Sequence, residues 1–515
     1  MKDLFSDKKW TIFSYLIIFF LFSMLVLRWP LLPNFMDIYY HLAVAQGFAK
    51  AGGFSAHDFW SYAPYGRAHL YPPAFHFLTL ALIKTGLPVL GVARLLDVVT
   101  FPLFLLSIWL FMRLLFNARL AFFSVLLSSS LYSFYLASSN FMPVTYAFIF
   151  GLLSLLCLEK DKVLSAGLFL GLCFYTHAQI PWFFILTLAA YGLFDKSNLI
   201  RCLKSAILGI LLSAPIIIYL FKNRNFYTPG MAHENFILEV NLYIFLSILG
   251  MRVVLKEKKR YGLLLSLAVA MVPFVFSYPY RYISGQGLVG AILLSAVGLD
   301  RLYAAGEKLF LRPGCGRIKE SYPAVLIILF MLVSPEFLLR TGQGLKFTFF
   351  GSAYLNLAAI GKTADRPNDY SISSSKYVGK LIKIVRENSQ DRDIIFSNLD
   401  FAGTLISALT GRADASGMLR EVGPRADHEP IRDSRIVVWF KDPDGSPGKG
   451  MMQAVSGYSL KEIAQTDIAY IYRNDFAQSA EQIKRATIPS SIIIAAAFII
   501  ASLLVWDIFL RGANK

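Results

Sequence analysis

Charge and cysteine are both scarce in this chain. Charged residues make up 16% of 515 positions, against about a quarter in ordinary globular domains. With 56% apolar and 15% aromatic residues, this deficit excludes a typical soluble enzyme. Acidic residues are the rarer sign, 33 against 50 Lys and Arg, for a net charge of +17. Only four cysteines occur, Cys157, Cys173, Cys202 and Cys315, all in apolar segments or in the basic connectors between them. A disulfide framework on the opposite face is therefore excluded, and a domain there is expected to stand on its own core. No small-residue cleavage site follows the first apolar run, which continues as LRWPLLPN, so that run reads as an uncleaved anchor. No internal repeat, low-complexity tract or lipidation motif stands out.

Long hydrophobic runs are abundant. A bilayer core takes about 20 mainly apolar residues per helix, and such runs lie near 10–29, 92–112, 120–137, 143–158, 163–177, 181–194, 199–221, 236–254, 261–277, 284–303, 321–340 and 487–510. They predict a mainly α, polytopic membrane bundle of about twelve spans. The basic clusters 112–119, 159–162, 195–201, 256–260 and 301–320, and the tail RGANK, all lie between or beyond spans. They share one side if the N-terminus is cytoplasmic and if 71–90, which opens on Tyr-Pro-Pro and carries Lys84, dips in without crossing. The positive charge then follows the positive-inside bias, with both termini cytoplasmic and no nucleic acid partner.

This topology leaves a long first loop, 30–91, on the outer face, with short outer segments near Asn140, His177, His233 and Arg281. It also places 342–486 outside as a soluble domain, between a transmembrane domain spanning 1–341 and a final span and tail, 487–515. DIIFSN, SRIVVWF and DIAYIYR alternate as short strands do, while SSKYVGKLIKIVREN and FAGTLISALTG have helical spacing. A small α/β domain on the outer face is expected.

The outer segments also gather the ionisable residues that packing explains poorly. In NFMDIYYHLAVAQGF, Asp37 and His41 are four apart and share a face if 37–51 is helical. A carboxylate at the membrane surface can take a proton from an acceptor hydroxyl, hold a divalent cation such as Mg²⁺ or Mn²⁺, or act only as a helix cap. Further on, HDFWSYAPYGRAHLYPPAFH sets Asp58 and Arg67 among aromatics, a mixture that suits sugar binding and also occurs in interfacial aromatic belts.

The order of a first helix, the loop FMDIYYHLAVAQGFAKAGGF, then PYGRAHLYPPAFHFL, a helix pair and a C-terminal outer domain resembles the GT-C superfamily of membrane glycosyltransferases. The loop is most similar to the catalytic subunit of oligosaccharyltransferases. The resemblance implies that Asp37 is the catalytic or metal-linked carboxylate and that Tyr71 with Pro72 shapes the site. The sequence departs from that family where ASSNFMPVTY offers Asn140 in place of an acidic pair, and where the outer domain lacks a Trp-Trp-Asp-Tyr-Gly signature. An outer site implies a polyprenyl-phosphate or polyprenyl-diphosphate sugar donor and a glycan, lipid or protein acceptor in the cell envelope, as in protein glycosylation. Arg281 and Arg67 are the candidates for the phosphate, with His41 as relay or metal ligand and His177 either lining the cavity or satisfied at a helix end. The alternatives are a flippase or transporter of lipid-linked sugars, for which Asp97 is the one candidate mid-membrane acid, and a non-catalytic GT-C-like protein.

Overall fold

The structure, a computed structural model, describes residues 2–33, 37–140, 142–226, 237–241, 243–310, 325, 328–330, 333–340, 344–351, 353–360, 375–417, 422, 429–442, 446–447, 450–477 and 486–510. The expected segments at His233, Glu234 and Cys315 lie outside these residues.

The first helix, α1 (Lys2–Leu27), buries Trp10, Ile17, Leu21 and Leu25 on one stripe and leaves Ile12, Leu16, Phe19 and Phe20 exposed. Apolar residues on both the packed and the open side are what a helix facing lipid requires, since the outer face meets hydrocarbon and not water. Seven helices among the described residues are long and apolar enough to cross a membrane, and up to eight if one bent pair is a single span. They are 7–27, 89–115, 142–159, 196–222, 258–277, 286–306 and 490–508. The α-helical membrane fold is as the composition indicated.

Not all twelve apolar runs become spanning helices. The run at 120–137 is a pair, Ala118–Ser130 and Tyr132–Asn140, bent by 80°. The runs at 163–177 and 181–194 form Val163–Thr176 and Ile180–Phe194, of 14 and 15 residues. At about 1.5 Å per residue these fall short of a hydrocarbon core of about 30 Å. The run at 236–254 opens as strand Ile237–Asn241 before helix Ile244–Lys256. The described end of 321–340 is strand Val333–Arg340, which pairs antiparallel with both Ile237–Asn241 and Gly344–Gly351. Hydropathy measures apolar content and is blind to bends and strand pairing. The segment 71–90 contains an 11-residue helix, Ala74–Lys84, too short to cross.

The α/β domain is a five-stranded sheet. Its order is Ala413–Asp414, Ile394–Ser397, Ile436–Phe440, Ala469–Arg473, Lys461–Gln465, parallel across the first three strands and antiparallel across the last. The central strand Ile436–Phe440 is buried at every position, as a strand covered on both faces must be. Helices α15 (Ser375–Glu387) and α16 (Asp400–Thr410) cover one face.

The main core of this domain is not its own, contrary to what the cysteine count suggested. Tyr39, Leu42, Phe48 and Trp60 of the first loop share one buried cluster with Leu381, Leu405, Ile436 and Ile471. Backbone bonds join them as well: Asp414 N–H donates to Trp60 O at 3.0 Å and Ala63 N–H to Asp414 O at 3.0 Å. Gln46 Nε2 donates to Ala408 O, the C-terminal end of α16, at 2.5 Å. The last span, α19 (Ser490–Val505), is held to this assembly at one end by two-residue strands, Gly53–Phe54 with Ile488–Pro489. Near its other end, Asp507 accepts from Ser165 N–H at 2.9 Å and Ser165 Oγ–H at 2.7 Å. Between these ties its apolar side chains, Ile494 and Phe498 among them, face outward.

Candidate functional site

Helix α2 (Asp37–Ala51) begins at Asp37, carries Lys50 in its last turn and stops at Gly52, whose φ of 82° is the left-handed conformation that closes a helix. Both charges complement the helix dipole. Asp37 and His41 therefore lie one turn apart, as their spacing indicated. Asp37 is partly exposed, and His41 is buried.

His41 Nδ1 lies 2.9 Å from Nε2 of His76, on helix α3 (Ala74–Lys84). Burial, and then the neighbouring His69, pushes the His41 imidazole down to about 3. Burial and the nearby His41 and His69 hold His76 well below the usual imidazole range. Both rings are neutral at physiological pH, so one donates and the other accepts. Tyr71 continues the run, its ring 5.1 Å from His41 and 6.2 Å from His177.

His177 caps helix α8 (Val163–Thr176) at its C-terminal end. Its Nδ1 accepts from Gln179 N–H at 3.0 Å and Ile180 N–H at 3.3 Å, so the proton of the neutral ring resides on Nε2. Burial, and then the Arg281 charge, holds this imidazole well below its ordinary range. Arg281 Nη1 lies 3.4 Å from that Nε2 and donates to Gln179 Oε1 at 3.0 Å. With Nε2 protonated, imidazole and guanidinium face each other as two donors, and a shared anionic acceptor resolves that arrangement. Arg281 also covers the Tyr278 ring at 4.5 Å.

Asp58 and Arg67 stand in a different setting. Residues 57–69 fold back as a small hairpin: His57 bridges Ala68, Asp58 N–H donates to Arg67 O at 2.7 Å, and His69 N–H to Ala56 O at 2.9 Å. Gly66, at φ 63°, makes the turn; a Cβ there would lie 2.5 Å from Asp58 O. Across the hairpin the Asp58 carboxylate accepts from Arg67 Nε at 3.4 Å and His69 Nδ1 at 2.5 Å, all three side chains being almost fully buried. Arg67 lies 4.5 Å over the Tyr62 ring. Among the described residues His69 Nε2 and His76 Nδ1 are buried without a hydrogen-bond partner, on rings 5.6 Å apart.

Asn140 closes the helix Tyr132–Asn140. That helix meets the segment after Arg281 through Gln286 Nε2, which donates to Ala137 O at 2.6 Å. The structure thus joins His41, Tyr71, His177 and Arg281 in one run, with Asp37 a turn from His41. It sets Asp58 and Arg67 in a buried pair behind them, and Asn140 on a neighbouring helix. Sequence reasoning missed His76 and Gln179, although both stood in polar outer segments, because their partners are 35 and 102 residues away. Among the described residues no group of three or more His, Cys, Asp or Glu is arranged to hold a metal ion.

No protein family and no curated protein matches the sequence. Solved structures do. ArnT from Cupriavidus metallidurans bound to undecaprenyl phosphate is similar at TM-score 0.50 and 14% identity over 91% of this chain and 99% of that one. Its apo form is similar at 0.51 and 13% over 90% and 99%. Archaeal oligosaccharyltransferase AglB from Archaeoglobus fulgidus, in complex with an inhibitory peptide and a dolichol-phosphate, is similar at 0.50 and 13% over 83% and 69%. ArnT and AglB are both GT-C glycosyltransferases, and the likeness establishes the GT-C fold of this chain.

Proposed function

We propose that this chain is a membrane glycosyltransferase that moves a sugar or oligosaccharide from a polyprenyl-phosphate or polyprenyl-diphosphate donor to an acceptor at the outer face. The observation that carries the reading is the pair of donors, His177 Nε2–H and the Arg281 guanidinium, which face each other 3.4 Å apart at the end of a ring run leading to the helix of Asp37. A guanidinium fork and an imidazole N–H suit phosphate oxygens, and the solved structures with this fold include one bound to undecaprenyl phosphate and one to a dolichol-phosphate.

In the reaction the acceptor oxygen attacks the anomeric carbon. The bond from that carbon to the phosphate oxygen breaks, and its electron pair leaves with the phosphate. The acceptor proton passes to the Asp37 carboxylate. Arg281 and His177 stabilise the charge that grows on the leaving phosphate. Gln179 holds the Arg281 fork, while His41, fixed by His76, and Tyr71 line the path between base and phosphate. Asp58 and Arg67 act behind them by fixing the loop. Among the described residues no group of three or more His, Cys, Asp or Glu surrounds Asp37 to hold a cation. In this reading 1–341 and the closing span within 487–515 hold the donor, 342–486 shapes the acceptor side, and both termini are cytoplasmic.

The test is release of polyprenyl phosphate or diphosphate from lipid-linked sugars by the full chain in lipid nanodiscs. Turnover lost in Arg281→Gln, with an unchanged melting temperature, is the expected result. Movement of intact donor across proteoliposomes without cleavage would instead identify a transporter.

A further inference from the structure

A cavity of about 470 Å³ lies away from the ring run, between the start of the helix α4 (Val89–Leu115) and helix α15 of the α/β domain. Pro88, Val89 and Leu90 form one wall. Val89 is the first residue of a helix long and apolar enough to cross a membrane. Ile382 and Leu409 line the opposite side, and Lys383, Arg386 and Glu387 its rim. The volume falls within the roughly 300–1,000 Å³ of small-molecule sites. The apolar part of the lining, Val89, Leu90, Val378, Ile382 and Leu409, suits an acyl chain better than a sugar.

The rim favours an anion. Arg386 is anchored through its Nη2, which donates to Leu409 O. Lys383 is exposed and pairs with Glu387 at 3.8 Å across one helical turn, a contact weak enough to yield to a phosphate. Lys380, also exposed, adds a further cation on the same helix.

An independent observation comes from Gly379, which lines the cavity near the middle of α15, where glycine weakens a helix relative to alanine. Other interior glycines are required by close neighbours: a Cβ at Gly47 would collide with the Trp60 ring and one at Gly151 with the Phe184 ring. At Gly379 a Cβ would meet nothing within 4 Å. The recess beside Gly379 is therefore open to a bound molecule.

We propose that this cavity binds one anionic membrane phospholipid, its acyl chain beginning along Leu90 and its phosphate held between Lys383 and Arg386. Basic residues at a bilayer surface attract anionic headgroups, and here two of them flank an apolar recess beside the first turn of a helix long and apolar enough to cross a membrane. The proposal is independent of the transfer reaction, since the two sites share no residue.

The test is native mass spectrometry of the purified full chain in detergent, with phosphatidylglycerol or phosphatidylcholine added. The wild type is expected to retain one phosphatidylglycerol about tenfold more tightly than phosphatidylcholine. Lys383→Glu should weaken retention about tenfold, and Gly379→Trp, which fills the recess, should abolish it. Melting curves establish that each variant is folded; if Gly379→Trp fails to fold, Lys383→Glu, an exposed change, decides alone. Unchanged retention in the folded variants, or equal retention of the two lipids, would overturn the assignment. So would displacement of phosphatidylglycerol by equimolar polyprenyl phosphate, which would give the cavity to the donor.

Discussion

Asp37 opens a helix, where any carboxylate stabilises the dipole by about 0.3–1 kcal/mol, so its position alone does not distinguish catalysis from structure. Asp37→Asn keeps the shape and removes the base. Transfer is expected to fall about 10²- to 10⁴-fold while the melt shifts by no more than the dipole contribution; near-normal transfer would leave Asp37 a purely structural role. The histidines predict a pH dependence of stability. His41, His76 and His177 are held below their unfolded values, so from about pH 6.5 downward the unfolded chain binds more protons than the folded one. Stability is complete above that range and declines as pH falls toward about 3, the value of His41, by about 1.4 kcal/mol per unit for each such histidine. Melts at pH 7.5, 6 and 5 should show the loss, and His41→Asn should reduce its slope. The Asp37–His41 turn was legible because a period of 3.6 residues is local. The partnership of His41 with His76 and that of Arg281 with His177 were not, since they depend on how distant helices pack.

At the scale of elements, the hairpin 57–69 depends on one carboxylate. Asp58→Asn removes the counter-charge of the Arg67 cation, which is 3% exposed, and this is expected to cost about 3–5 kcal/mol. Adding Arg67→Met should recover a large part of it in thermal melts; no recovery would mean that His69, and not the ion pair, holds the hairpin. The strands of the five-stranded sheet were legible because IIFS, IVVWF and AYIYR are short β-branched and aromatic runs between polar breaks. The 80° bend between Ser130 and Tyr132 was not. The sequence SSSLYS carries no proline there, so an apolar run of spanning length conceals two helices. The strand Val333–Arg340 was concealed likewise, since in SPEFLLR apolar content alone does not separate strand from span.

Beside the core of the helical bundle, the molecule has a second core shared by the first loop and the α/β domain. Residues 342–486 expressed alone are therefore expected to lack a cooperative melt and to bind hydrophobic dyes; a sharp transition would show that the domain stands by itself. Orientation is tested by a cysteine at Tyr65, 54% exposed on the first loop, and one at Lys258 in a basic connector. The first should react with an impermeant thiol reagent in intact cells and the second only after lysis; the reverse pattern would place the site on the cytoplasmic face. The same shared core sets a timetable for synthesis. Gln46 meets Ala408 across 362 residues, which at about 5–20 residues per second takes roughly 20–70 s to translate. Through that interval the apolar side of the helix that carries Asp37 has no domain to rest on, and the strand at Gly53 waits longer still for Ile488. A nascent chain with this architecture needs the membrane surface or a chaperone to cover its first loop, and codon changes that slow translation beyond the span Leu199–Lys222 should lower yield without altering the finished protein.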